Sequence, residues 1–251
     1  MKITQKNDAS ELFTHTVLRR YPYGWNDVSV FSSERSNEPL FGEPVRYEER
    51  FESVMKGAAA IFALRGYARA SIRDVAKAAG ISVPGLYYYC RSKEELLFAV
   101  CYHSFDVLLR TLNNSLGGVS DPEEQLQVFI LNHFEFFLNN VDSMRVVSHE
   151  AGMLTGERDL RVAEIKRRYY LRCQQILQAI LGEPEGDSPR LRTTTLALFG
   201  MINWVYTWYR PGRDQDAKGL TDCMMNLFLH GVRPQAAIPN RQEVTRDTGG
   251  G

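Results

Sequence analysis

The chain has 251 residues, 44% of them hydrophobic and 24% charged, and its 30 basic residues are balanced by 30 acidic ones. This is the composition of a globular protein with enough apolar material for a sizeable core; it excludes a low-complexity, fibrous or uniformly charged chain. With a formal net charge of zero, the whole molecule is not steered toward nucleic acid or membrane, and only local charge can name a partner.

The first 45 residues carry no sustained period and are punctuated by Gly, Pro, Asn and Ser, as in SSERSNEPLFGEP. They predict an irregular or disordered extension, with at most a short helix near Ser10–Arg19. Phe51, Val54, Met55, Ala58, Ile61 and Phe62 then recur at three- and four-residue steps, which predicts an amphipathic helix over Tyr47–Arg65, stopped by Gly66. Ser71, with Asp74 three residues on, reads as an approximate capping box for a short helix Ile72–Ala79, ended by Gly80. Next comes ISVPGLYYYC (Ile81–Cys90), whose local propensities favour a turn and then a strand. Read instead as a helix capped by Ser82, it places Pro84 in the first turn, where its missing N–H costs nothing. Leu86, Tyr89 and Cys90 then share one side, and Pro84, Tyr87 and Tyr88 the other, with Val83 at the border. An outward face of aromatic rings has no purpose if it only meets water. Ser92 caps a long helix from Lys93 to about Leu116.

Asp121 and Pro122 open the next helix, Pro122–Asn140. Helices follow over Asp142–Leu154, Arg158–Leu181, Ser188–Tyr209 and Asp214–His230, and Pro234–Gly251 reads as a disordered tail. No β alternation and no internal repeat appear. The predicted class is therefore all-α, with three head helices and about six longer ones. The expected division is an extension (1–45), a helix-turn-helix head (46–97), a ligand-binding and dimerisation body (98–233) and a tail (234–251).

Local charge singles out the head. Between Ser53 and Lys93 stand seven basic residues (Lys56, Arg65, Arg69, Arg73, Lys77, Arg91, Lys93) against the single acidic Asp74. A concentrated positive face on a small helical unit is what contact with phosphates requires.

Catalysis has little support. His149-Glu150 lacks the second histidine of a zinc-protease pattern, and no glycine-rich phosphate loop or nucleophile elbow is present. Cys90, Cys101, Cys173 and Cys223 fall at no metal-like or redox-like spacing and read as reduced thiols of a cytosolic protein. No catalytic residue, metal or cofactor is expected. No charged n-region precedes an apolar h-region at the N-terminus, and the most apolar run, Leu196–Tyr209, is too short for a bilayer, so no membrane partner is expected either.

Arg65–Leu96, RGYARASIRDVAKAAGISVPGLYYYCRSKEEL, resembles the TetR family of bacterial transcriptional regulators over about residues 47–100. The ordered pieces are Phe62 and Gly66, the hydroxyl of Ser71, Asp74-Val75-Ala76, Ala79-Gly80-Ile81-Ser82, Gly85-Leu86-Tyr87-Tyr88 and Ser92-Lys93-Glu94-Glu95-Leu96. Two positions depart from the family pattern: Thr is common where Ala70 or Ser71 stands, and His-Phe or Tyr-Phe where Tyr89-Cys90 stands. The resemblance implies that Val83, Pro84, Gly85 and Tyr87 line the major groove of an operator, where apolar contacts read thymine methyls. It implies phosphate contacts for Ser71, Arg73, Tyr88 and Lys93, and a contribution of Ser82 and Tyr89 to the same surface. The operator is expected to be a palindrome in double-stranded DNA, read by a homodimer joined through the last two helices.

In the body, Phe105, Phe134, Phe137, Met144 and Met153, with Tyr170, Cys173, Trp204 and Trp208, form an aromatic and sulfur-rich set. Individually these are ordinary core residues; as a set they predict an apolar effector cavity. The segment INWVYTWYRPG resembles TetR-type regulators whose effectors are acyl-CoA thioesters, and Lys166, Arg167, Arg168 and Arg172 are candidate cations for its phosphates. The function implied is a ligand-responsive repressor of the bacterial cytoplasm and nucleoid, released from its operator by a lipophilic or acyl-CoA-type effector. The alternative is an architectural nucleoid protein without a small-molecule switch.

Overall fold

The structure, a computed structural model, describes residues 44–184 and 188–231, and every regular element among them is helical. The expected N-terminal extension (its residues 1–43), the short helix near Ser10–Arg19 and the tail over 234–251 lie outside the described residues. Nine α-helices are described: α1 (Pro44–Arg65), α2 (Ile72–Ala78), α3 (Val83–Tyr89), α4 (Lys93–Ser115), α5 (Pro122–Asn139), α6 (Val141–His149), α7 (Gly156–Leu181), α8 (Pro189–Asn203) and α9 (Ala217–His230).

The caps explain most boundaries. Ser71, Ser82, Ser92, Asp121, Ser188 and Asp216 each accept a backbone N–H from the first turn of the helix that follows. Gly66 and Gly80, at φ of +74° and +66°, turn the chain out of α1 and α2 in a conformation that side chains resist.

Three expected helices prove shorter, the last beginning at Ala217 behind its cap Asp216 and not at Asp214. The Asp142–Leu154 segment is helical only to His149, and a 3-10 turn follows over Ala151–Met153, where Gly152 weakens helix continuation. The expected Ser188–Tyr209 helix stops at Asn203, and Trp204–Thr207 forms a 3-10 turn. Thr207 Oγ1 donates to the Trp204 carbonyl, and Pro211 keeps the residue before it out of helical conformation. Propensity wins there: a run of aromatic and β-branched residues ahead of a proline does not sustain a helix that hydrophobicity alone would extend.

Packing forms two apolar clusters. The first gathers Val54, Ala58 and Phe62 of α1, Val75 and Ala76 of α2, Leu86 of α3 and Leu96, Leu97 and Val100 of α4. It also takes in Val146 and Val147 of α6, Leu154, and Val162 of α7, so the head's core is completed by residues from the body. The second cluster joins α4, α5, α7, α8 and α9 around Leu108, Phe129, Phe134, Tyr169 and Leu198. Phe129 and Tyr169 stack at 4.8 Å between ring centroids, and Phe199 meets both rings edge-on. α4 belongs to both clusters and is the beam between them.

Candidate nucleic-acid interface

The reading unit is α2, the turn at Gly80-Ile81, and α3. α2 seats itself by a complete capping box: Ser71 Oγ accepts from the Asp74 amide at 3.2 Å, and an Asp74 carboxylate oxygen accepts from the Ser71 amide at 3.2 Å. Ser71 Oγ donates to the same carboxylate at 2.7 Å, and Arg65 pairs with its other oxygen at 2.9 Å. The Ser71 hydrogen bonds, assisted by Arg65, lower the Asp74 pKa below the ordinary carboxylate value. The single acid of the basic window is therefore internal to the head's wiring.

The crossing of α1 over α2 depends on Gly57. A Cβ there would stand 2.9 Å from the Ala79 backbone nitrogen, closer than packed atoms approach. Ser53 Oγ reaches the Ala79 carbonyl at 3.4 Å in the same crossing. Periodicity marks the apolar partners of this contact but gives no weight to a glycine on the opposing stripe.

α3 divides as its sequence requires. Leu86 and Cys90 are fully buried, while Tyr87 and Tyr88 are 48% and 49% exposed. Pro84 and Ser82 are exposed too, and Val83 and Gly85 are partly so. Ser82 Oγ accepts from the Gly85 amide at 3.2 Å, so Ser82 acts as the cap of the reading helix. Tyr89 turns the other way: it packs partly buried against the head core, its ring edge-on to Tyr88 at 5.2 Å, and burial raises its pKa. The family departure at Tyr89 is thereby taken up on the core side of the head.

The basic residues separate into two groups. Arg73 and Lys77 are exposed on α2 and have no ion pair among the described residues, and Arg91 is exposed beyond α3. Lys93 is committed elsewhere. Its ammonium donates to the carbonyls of Tyr67, Ala68 and Ala70 at 2.9, 3.1 and 3.2 Å and lies 4.6 Å from the Tyr67 ring centroid. Three donors on three acceptors use the whole hydrogen-bonding capacity of a lysine. The residue expected to hold phosphate is seen closing the loop between α1 and α2.

A second tie to that loop comes from the body, and nothing in the sequence signals it. The Glu150 carboxylate, at the end of α6, accepts from the Tyr67 amide at 3.2 Å, and the neighbouring His149 Nε2 lies 2.7 Å from Tyr206 Oη.

The expected effector residues do not share one place. Phe134, Phe137, Met144 and Cys173 are buried in the second cluster, with Phe105 packed at its edge and Tyr170 stacked on Phe199. Met153, Trp204 and Trp208 are instead exposed, at 53%, 62% and 43%. The two tryptophans fall at helical spacing from the exposed Ala197 and Gly200, off the buried stripe of Leu191, Thr195, Leu198 and Ile202. Among the described residues no group of three or more His, Cys, Asp or Glu side chains is disposed to hold a metal, and no helix is long and apolar enough to cross a membrane.

Comparison with known proteins covers both halves of the chain. Residues 54–100 match the bacterial regulatory proteins of the tetR family, and residues 119–232 match the tetracyclin repressor-like C-terminal domain. The chain is 25% identical over 185 residues to the HTH-type transcriptional repressor KstR2 of Mycobacterium tuberculosis, which is 70% of this chain and 88% of that one. A TetR-family transcriptional regulator from Bordetella parapertussis superposes with a TM-score of 0.68 at 27% identity, covering 74% of this chain and 97% of that one. AibR, solved in complex with isovaleryl coenzyme A and operator DNA, shares the fold with a TM-score of 0.60 at 22% identity, over 71% of this chain and 97% of its own. With a capped helix-turn-helix matching one end and a helical body matching the other, the chain belongs to the TetR family of bacterial transcriptional regulators.

Proposed function

We propose that the protein is a homodimeric repressor that reads a palindromic operator through the outward face of α3 and releases it on binding an acyl-CoA or similar lipophilic effector. The observation that carries the reading is the division of α3: Leu86 and Cys90 anchor it, while Tyr87 and Tyr88 stand outward on a head that also exposes Arg73, Lys77 and Arg91. Val83, Pro84, Gly85 and Tyr87 are the groove-facing set, lacking the Arg, Asn or Gln that would read bases in bidentate fashion. Specificity then leans on thymine methyls and on DNA shape. Arg73 and Tyr88 take phosphates, whereas Ser71, Ser82 and Lys93 act first as the caps and clamp that set the angle of α3. Residues 46–97 form the head and 98–233 the body, with the head's core completed across that boundary.

The dimer surface we infer is the outward stripe of α8 and α9. Thr193, Ala197 and Gly200 are exposed at helical spacing, Trp204 continues the line, and Cys223 and Leu227 are exposed on α9. Small residues allow two copies of α8 to approach closely, and Trp204 gives the contact an aromatic anchor.

α4 supplies the linkage between sites. Its first residue, Lys93, clamps the head, and Phe105, three turns on, meets Tyr169 at 6.0 Å between ring centroids. Along the seam with α7, Glu94 pairs with Arg158 at 3.3 Å, and Arg161 lies over Phe98 and Tyr102. An effector that repacks the rings around Tyr169 shifts α4 and, with it, the spacing of the two α3 helices, by no more than its differential affinity for the two conformers. The kinship with KstR2, named a repressor, and with AibR, solved with an acyl-CoA and operator DNA, supports both parts of the reading. The test is fluorescence anisotropy of the full-length protein on DNA upstream of its own gene. Tight, salt-steep binding lost on adding octanoyl-CoA or palmitoyl-CoA is expected; binding indifferent to every acyl-CoA refutes the effector class, and no DNA binding at low salt refutes the reading altogether.

A further inference from the structure

Five polar side chains are buried among the described residues: Ser104, Asn132, His133, Thr195 and Thr221. The three hydroxyls return to the carbonyl four residues back in their own helices, at 2.7, 2.8 and 2.7 Å, and are inert. Asn132 bridges α5 to α4 by donating to the Leu108 carbonyl at 3.1 Å. His133 differs. Its Nδ1 lies 3.3 Å from Tyr169 Oη, and its Nε2 is buried without any hydrogen-bond partner. Buried polar atoms of that kind are rare enough to need a reason.

The network fixes the proton on that ring. If His133 Nδ1 carried the proton, it would donate to the phenol oxygen, leaving the phenol's own O–H and the imidazole Nε2 unpaired. If Nδ1 accepts from the phenol, only one group is left over. The second arrangement satisfies more of the buried polar groups, so the proton resides on Nε2 and Tyr169 donates to His133 Nδ1. Burial pushes the His133 pKa down to about 3, so the ring stays neutral near physiological pH. Three rings stand around it: Phe137 at 4.7 Å, Phe134 at 6.1 Å and Tyr169 at 6.1 Å between centroids.

Resting on the effector class proposed above, we infer that His133 Nε2–H is the donor that receives the thioester carbonyl oxygen of the acyl-CoA, within the aromatic shell of α5 and α7. A neutral donor in an apolar shell suits a neutral carbonyl. A free carboxylate would enter the same shell as an unpaired buried charge, which is far costlier. The same contact gives the switch its lever, because His133 is bonded to Tyr169 and Tyr169 is packed against Phe105 of α4.

The experiment is calorimetric titration of the full-length protein with octanoyl-CoA and palmitoyl-CoA against S-octyl-CoA and S-hexadecyl-CoA, thioethers in which a methylene replaces the carbonyl. Wild type should favour thioester over thioether by about ten- to a hundredfold, the range expected when a buried donor is left unpaired. His133→Phe should bind thioester and thioether alike. Equal affinity of wild type for the two ligands, which would also be the result if a water serves Nε2, overturns the assignment while leaving an acyl-CoA effector standing. An undiminished thioester preference in His133→Phe overturns it too. If no CoA compound binds, the effector class itself fails and this contact with it. The wild-type comparison needs no variant and so holds even if His133→Phe misfolds.

Discussion

At Lys93 and Arg73, two basic residues of one motif do different work. Arg73 is exposed and unpaired among the described residues, whereas the Lys93 ammonium is spent on three carbonyls of the loop after α1. Arg73→Ala should therefore weaken binding to all DNA sequences and reduce the slope of log affinity against log salt by about one. Lys93→Ala should leave that slope unchanged and instead lower the stability of the protein by ~1–3 kcal/mol, as three carbonyls, two of them in partly buried hydrogen bonds, lose their donor. Salt titrations and urea unfolding separate the two. His133 makes a prediction of opposite kind. Its folded pKa of about 3 lies below the ordinary value near 6.5. Between those values the unfolded chain binds one more proton than the folded one, so stability falls as pH drops through that window, by up to ~1.4 kcal/mol per unit. His133→Phe should flatten this part of the stability–pH curve, measured by urea unfolding at a series of pH values.

At the scale of elements, most of the head could be read in the sequence because its signals are local. Ser71, Ser82 and Ser92 each announce a helix start within four residues, and the exposed and buried faces of α3 follow from helical spacing alone. The strand propensity of the three tyrosines was overridden by a serine cap, a proline tolerated in the first turn and a buried Leu86. Tertiary ties had no such local signal. Glu150 reaching the Tyr67 amide joins residues 83 apart, and the ammonium of Lys93 joins carbonyls 23 to 26 residues earlier. The ends of α6 and α8 are hidden for a related reason: the hydrophobic pattern runs on where Gly152 and the aromatic run before Pro211 favour 3-10 turns. Gly57 is the element-scale test. Gly57→Ala sets a methyl against the Ala79 backbone and should force α1 and α2 apart, costing ~1–3 kcal/mol. The melting temperature should drop by several degrees; an unchanged value would mean the crossing is looser than described.

For the whole molecule, the consequence is a mechanical chain whose parts meet at α4. Head and body share one apolar cluster, so α3 is not on a free tether, and a change at Tyr169 has a rigid path to Lys93. The proposed dimer adds the second copy that a palindrome demands. Ala197 lies on the outward stripe of α8, and Trp204, at 62% exposure, continues it into the 3-10 turn. Ala197→Arg or Trp204→Arg should convert the dimer to monomer in analytical ultracentrifugation and abolish tight operator binding. A dimer persisting in both variants would move the interface elsewhere.

If the outward face of α3 reads DNA sequence, Tyr87 is the residue to change, because it is 48% exposed and its removal leaves the buried Leu86 anchor intact. Operator and scrambled duplexes should be titrated with wild type and Tyr87→Ala by fluorescence anisotropy at fixed salt. The variant, still folded and dimeric, should lose roughly tenfold or more of its affinity for the operator while its affinity for scrambled DNA changes little. Operator affinity equal to wild type would contradict that role for α3.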